Sequence, residues 1–341
     1  MIALSDAGFQ FSDGSVLGSA KYQYGFKNRF INGAMQINQR GASSIATSGY
    51  LVDRWALGTT NGFTSSGLVT DGTVSLVGNN HVYLQANTTL ASPAIGDYSY
   101  LFQRIEGYNM ADFLFGKATA KPITLSFRAN ASVSSVVSIA FRNGSSTRSY
   151  VTTVTLTPAV NKYTITIFGD TTGTWAVDNT QGMEVGFVFS ANTPSGTFTT
   201  PNANVWQAGA FIAHTSQSNG LDTLNRYIDI ADVQLELGSI ATPYEFRPVM
   251  TELSLSQRYY EIGIARLDGY NSAGNVISSW SNYKVQKRVT PTITFNNTGY
   301  ANASSVGTDF GSTVHGLIIK VNTLATGGVA YTTTWVSDAE I

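Results

Sequence analysis

Cysteine is absent from the 341 residues, which excludes disulfides, thiolate nucleophiles and cysteine-ligated zinc. Stability then has to come from packing and from association between copies. Charge is scarce as well. Asp, Glu, Lys and Arg make up 12% of the chain, about half of the ~25% usual in globular proteins, so the surface must be built from Thr, Ser, Asn and Gly. The formal net charge is -1 with a pI near 6.3. That leaves no basic surplus to neutralise phosphates, and nucleic acid is not an expected partner. No run approaches the ~20 apolar residues of a membrane span, and the opening MIALSDAGFQFSDGS lacks the basic start and apolar stretch of an export signal. Neither membrane insertion nor signal-directed export is expected.

What is present is strand patterning. Between about Leu76 and Glu236, short runs alternate apolar with polar or Thr positions and are bounded by Gly, Asn, Asp or Ser: PITLSFRA (122–129), SSVVSIAF (134–141), SYVTTVTL (149–156), NKYTITIF (161–168), MEVGFVFSA (183–191), NVWQAGAFIA (204–213) and RYIDIADVQLEL (226–237). The stretch contains no ten-residue window with a 3.6-residue period and no fixed internal repeat, which disfavours propellers and solenoids. The fold class this predicts is all-β: an antiparallel jelly-roll β-sandwich with an N-terminal arm and a smaller C-terminal β domain.

Four segments are expected. Residues 1–27 read as an arm, with a turn at Asp13-Gly14 and too few apolar residues for a core. Residues 28–247 form the jelly roll, its first part irregular with one or two strands. Residues 248–262 read as a short helical hinge, with Pro248 setting the first turn and Thr251 placed to cap it. Residues 263–341 form a β tip, with strands expected at Tyr259–Leu267, Val276–Trp280, Pro291–Asn296, His315–Val321 and Val329–Val336.

An enzyme needs a constellation, and none is legible. His81, His214 and His315 are far apart without metal-ligand spacing, and no GxSxG elbow occurs. A glycoside-cleaving pair would need two carboxylates about 5 to 9.5 Å apart. Asp229, Asp232 and Glu236 are near one another, but alternation puts Asp229 and Asp232 on opposite faces and Asp232 with Glu236, as solvated strand charges or a sheet-edge guard. With no glycine-rich phosphate cradle and no DxDxDG loop, no cofactor, nucleotide or metal is expected. Aromatic chemistry remains, because rings stack on the apolar faces of sugars. Trp55, Trp175 and Trp206 are expected in the core or at a sheet edge. Tyr270, Trp280, Tyr283 and Trp335 lie beside turn residues in the tip and are the candidate ligand-binding set.

Two blocks, NRFINGAMQINQRG…YLVDRW (28–55) and YIDIADVQLELGSIATPYEFRPVMTELSLSQRYYE (227–261), together resemble a recurrent module of bacteriophage tail-fibre and head-fibre structural proteins. The resemblance implies that the segment they bracket is a carbohydrate-binding-module-like jelly roll leading into a variable tip. It further implies a virion protein that is assembled in the host cytoplasm, binds other virion proteins through its N-terminal arm, forms a homotrimer and attaches to host-surface polysaccharide. A purely structural fibre or adaptor is the alternative, and a capsular depolymerase a third reading.

Overall fold

The computed structural model describes residues 26–192, 197–304 and 311–341, without the side chains of 297 and 298. Before them it describes three short strands, Ala3–Ser5, Gly8–Gln10 and Val16–Gly18, paired antiparallel in that order. Of the arm expected at 1–27, the other residues up to 25 lie outside the described residues, and Lys27 N donates to Glu245 Oε1 of the sandwich at 3.1 Å.

The chain is all-β, a jelly-roll sandwich followed by a smaller β unit. Among the described residues the first large sheet runs in the order Asn161–Ile167, Ile123–Ala131, Tyr227–Leu237, Asn80–Ala86, Thr64–Thr70, Ser44–Ile45. The second runs Trp206–Ala208, Arg148–Leu156, Ser135–Asn143, Gln181–Ala191, Tyr98–Glu106, Trp55–Thr59, Gly49–Val52. The alternating apolar residues of both sheets meet in one core, where Phe30 stacks on Trp55 at 5.3 Å and Phe187 meets Phe127 edge-on at 5.0 Å.

The two sequence blocks turn out to be one structural joint. The strand Tyr227–Leu237 pairs with Asn80–Ala86 only as far as Ile230. Beyond that point residues 28–33 take over. Arg29 N donates to the Leu235 carbonyl (2.8 Å), Val233 N to the Gly33 carbonyl (2.9 Å), and the Asn28 amide bonds Val233 and Leu235 at 3.0 Å each. Arg247, 6% exposed, ties the same segment to Glu245 (2.9 Å) and Glu252 (3.1 Å) and to the carbonyls of Phe30 and Asn28. The buried Asn28 amide and the Arg247 guanidinium thereby find their partners inside the joint.

The helix is Val249–Gln257, with Pro248 at its N-cap and no side-chain cap, so Thr251 does not fill that role. Its ends are fastened to the sandwich. Arg258 forms a bidentate pair with Glu106 at 2.9 and 2.6 Å, and Tyr259 donates to the same carboxylate at 2.7 Å.

Among the described residues the C-terminal unit has two three-stranded sheets. One is ordered Tyr260–Asn271, Gly327–Asp338, Thr292–Ala301, the other Val276–Asn282, Gly316–Asn322, Gly311–Ser312. Between them lies a second core of Leu267, Leu317, Ile319, Tyr331 and Trp335. The ion pair of Lys287 with Glu261 (2.6 Å, 0% and 1% side-chain exposure) closes its base.

One strand expectation needs correction. The run 204–213 is a strand only at Trp206–Ala208, with Ala213–His214 in a separate two-stranded pairing. Asn204 at φ 62° and Gly209 at φ 118° break the extended backbone, and Ile212 and Ala213 then pack on the outer face of the second sheet beside Tyr100 and Val151. The strand Thr64–Thr70 was not legible, because its sequence TSSGLVT has a weak apolar alternation.

Candidate functional sites: the tip platform and the edge cleft

The structure divides the four tip aromatics. Tyr283 and Trp335 are 7% and 2% exposed and meet in T-shaped contact at 5.5 Å inside the small core. Their expected exposure fails because Trp335 occupies the inward parity of its strand and Tyr283, directly after Val276–Asn282, continues the inward parity of that one, both packing into the core with Leu317 and Ile319. Tyr270 and Trp280 are 78% and 46% exposed. Alternation from the buried Leu267 puts Tyr270 outside one small sheet, while Trp280, paired with Ile318, stands outside the other. The four are therefore not one site.

Trp280 alone is built as a platform. Its indole lies over Gly316 on the neighbouring strand: a Cβ there would stand 2.8 Å from the ring and 2.5 Å from the Ser281 carbonyl. Only glycine leaves that space. The indole N–H donates to Asn282 Oδ1, which fixes the ring's rotation. Around it on the same face are Ser278, Asn282, Ile318 and Lys320. An immobilised ring bordered by hydroxyl, amide and ammonium groups can stack on an apolar face and bond polar groups at its rim.

A second feature lies where the edges of the two large sheets meet. An open cleft of about 470 Å³ is lined by Arg148 and Tyr150, by Thr166 to Thr172, and by Asn204, Val205 and Trp206. Trp206 is half-buried, braced edge-on by Trp175 (5.3 Å) and Phe115 (5.7 Å), with its N–H donating to the Phe168 carbonyl at 2.8 Å. Asp170, 2% exposed, holds Arg148 in a bidentate pair at 2.7 and 2.8 Å. The Arg148 stem crosses Gly173, at φ 77°, where a Cβ would meet it at 2.6 Å. Phe168 stands 82% exposed beside the cleft. Sequence reading missed this cleft, although a phenylalanine ending an alternating strand next to Gly-Asp is a usable signal.

The three acidic residues of the strand Tyr227–Leu237 are buried, not solvated: Asp229 8%, Asp232 5% and Glu236 3% exposed. A β-bulge explains it. The register slips opposite Ser126 and Arg128, and Asp232 adopts φ 49°. Alternation breaks there, so Asp232 accepts from Ser75 Oγ (2.5 Å) and Leu76 N (2.7 Å) in the loop that begins near Asp71. Asp229 faces His81, whose Nε2 and Nδ1 stand 3.6 Å from Asp229 and Asp71 respectively. Burial pushes the Asp229 carboxyl up to about 7, and pushes the His81 imidazole down. Glu236 is engaged by Thr242 (2.9 and 2.6 Å) and Gln234 (2.8 Å). His214 bonds Ser216 and the Pro201 carbonyl.

No family model matches the chain, and no curated protein matches its sequence. Among solved structures it is similar to the enzymatically active domain of tailspike protein 4 of bacteriophage CBA120, with TM-score 0.34 and 13% identity over 62% of this chain and 22% of that one. It is also similar to a family 61 carbohydrate-binding module solved with β-1,4-galactotriose (0.33, 9%, 62% and 98%). A third is the family 11 carbohydrate-binding module of a Clostridium thermocellum cellulosomal cellulase (0.30, 12%, 59% and 99%). The chain thus spans about a fifth of the tailspike domain's length. At these scores the fold assignment rests on the chain's own sheet order.

Proposed function

We propose that this chain is a phage virion protein, a fibre or receptor-binding subunit, that attaches the particle to a host-surface polysaccharide through its C-terminal tip. The observation that supports the reading is the Trp280 platform: a large ring on an outer sheet face, seated over Gly316, held by Asn282 and 46% exposed. Folding alone does not call for such a ring on a solvent face. In this reading the N-terminal arm binds other virion proteins, the sandwich carries the tip, and three copies associate. Binding without cleavage is the expected chemistry.

The experiment compares wild type with Trp280→Ala, each checked by thermal melt, for adsorption to host cells and binding to their purified surface polysaccharide. Loss of adsorption of about tenfold or more in a folded variant is expected, as for a well-stacked anchor. A folded variant that adsorbs like wild type removes Trp280 from the function. Wild type that binds no host polysaccharide would favour the structural fibre or adaptor, and cleavage of that polysaccharide would favour a depolymerase.

A further inference from the structure

The cleft at the sandwich edge has features that folding does not require. Its bidentate Arg148 and Asp170 pair, with Asp170 2% exposed, is a costly arrangement to bury unless it holds something in place. It holds the turn, through Thr172 N and Oγ1 (3.1 Å each) on Asp170, and the guanidinium, whose stem crosses Gly173 and whose Nη1 is unpartnered among the described residues. The Asn204 side-chain amide and the Thr171 hydroxyl likewise have no internal partner among the described residues, and both line the cleft. Trp206 supplies a half-accessible ring whose other contacts are already made by Trp175 and Phe115. Phe168, 82% exposed, and Val205, 48% exposed, flank it.

We infer that this cleft is a carbohydrate site separate from the tip, taking a short run of neutral pyranose units. The aromatic rings suit the apolar face of a sugar, and the free amide, hydroxyl and guanidinium N–H suit its hydroxyls. The volume of about 470 Å³ lies in the ordinary range for small-ligand pockets. Neutrality follows from charge. Arg148 and Asp170 are the charged residues of the lining and cancel each other, so the cleft offers a uronate no net positive charge to balance its own. Every lining residue belongs to the sandwich, so the site stands whether or not the tip binds host polysaccharide.

The test titrates the full chain with cellotetraose, galactotetraose and mannotetraose, with tetragalacturonate as the charged control, by calorimetry and saturation-transfer NMR. Variants are Trp206→Ala, Asn204→Gly and Trp280→Ala. Asn204→Gly keeps the left-handed backbone at φ 62° and removes only the amide, so it reports on the site even where Trp206→Ala fails to fold. At least one neutral tetrasaccharide should bind. Trp206→Ala should weaken it about tenfold and Asn204→Gly severalfold, with Trp280→Ala unchanged. Three results would overturn the inference: no neutral probe binds, both cleft variants bind like wild type, or tetragalacturonate binds best. Binding lost in Trp280→Ala alone would also overturn it while supporting the tip, and adsorption to cells tests the tip independently of these probes.

Discussion

Asn32 and Glu252, 220 residues apart in the chain, are joined by a hydrogen bond of 2.8 Å from the Asn32 backbone N–H to Glu252 Oε2. The other carboxylate oxygen takes Arg247 Nη1 at 3.1 Å, and the Asn32 carbonyl accepts the Trp55 indole N–H at 2.9 Å. One acidic residue on the first turn of the helix thereby ties the helix, the opening segment of the sandwich and its core together.

Glu252→Ala should therefore cost about 2 to 4 kcal/mol, because it strands a buried N–H and half-unpairs a buried guanidinium. Glu252→Gln keeps an acceptor for Asn32 and should cost less. Chemical denaturation of the two variants beside wild type measures both, and an unchanged midpoint in Glu252→Ala would refute the joint.

The two tip tryptophans should separate in stability. Trp335→Ala empties the small core and should cost about 3 to 5 kcal/mol, with Tyr283→Ala similar in kind. Trp280→Ala removes a ring that is 46% exposed and should cost clearly less. Equal losses in urea midpoints would contradict the inward and outward placement.

Asn282 is a positioning residue for Trp280. Asn282→Ala frees the indole N–H and leaves the ring to rotate, so adsorption should fall severalfold, less than for Trp280→Ala, with stability within about 0.5 kcal/mol of wild type. Adsorption that matches wild type would show that the tether contributes nothing.

Stability should depend on pH through Asp229. Its folded carboxyl holds a proton up to about pH 7, whereas the unfolded chain releases it near ~4. The folded state binds more protons in that window, so this group's contribution falls as pH rises from about 4 to 7. His81 and Asp71 face it, and the Asp53 carboxyl is raised by burial as well, so the wild-type slope is shared. Asp229→Asn should remove Asp229's part and stand roughly 1 to 3 kcal/mol more stable than wild type above pH 7. Melts at pH 4.5 and pH 8 read the difference, and a variant that tracks wild type at both would exclude it.

A homotrimer should scatter light at three times 36.5 kDa at micromolar concentration. The scarcity of charge leaves a large neutral surface for association. A monomer mass would count against the assembly.

The sequence by itself determined the strands wherever alternation was strong. Tip strands expected at Val276–Trp280 and Val329–Val336 occur as Val276–Asn282 and Gly327–Asp338, because β-branched period-two runs fix a strand locally. It set the two blocks apart by resemblance alone, and did not show that Asn28 and Gly33 would pair with Val233 and Leu235. Tertiary structure alone decided which side of each strand is inside. Trp280 and Trp335 look alike in sequence, and only pairing with Ile318 in one sheet and Gly263 in the other sends the first outward and the second inward. It also decided the bulge at Asp232, which overrides alternation, and the convergence of Arg148, Asp170 and Trp206 on one cleft. Alternation is a property of neighbouring residues, whereas the face that becomes buried is set by whichever distant strand arrives to cover it.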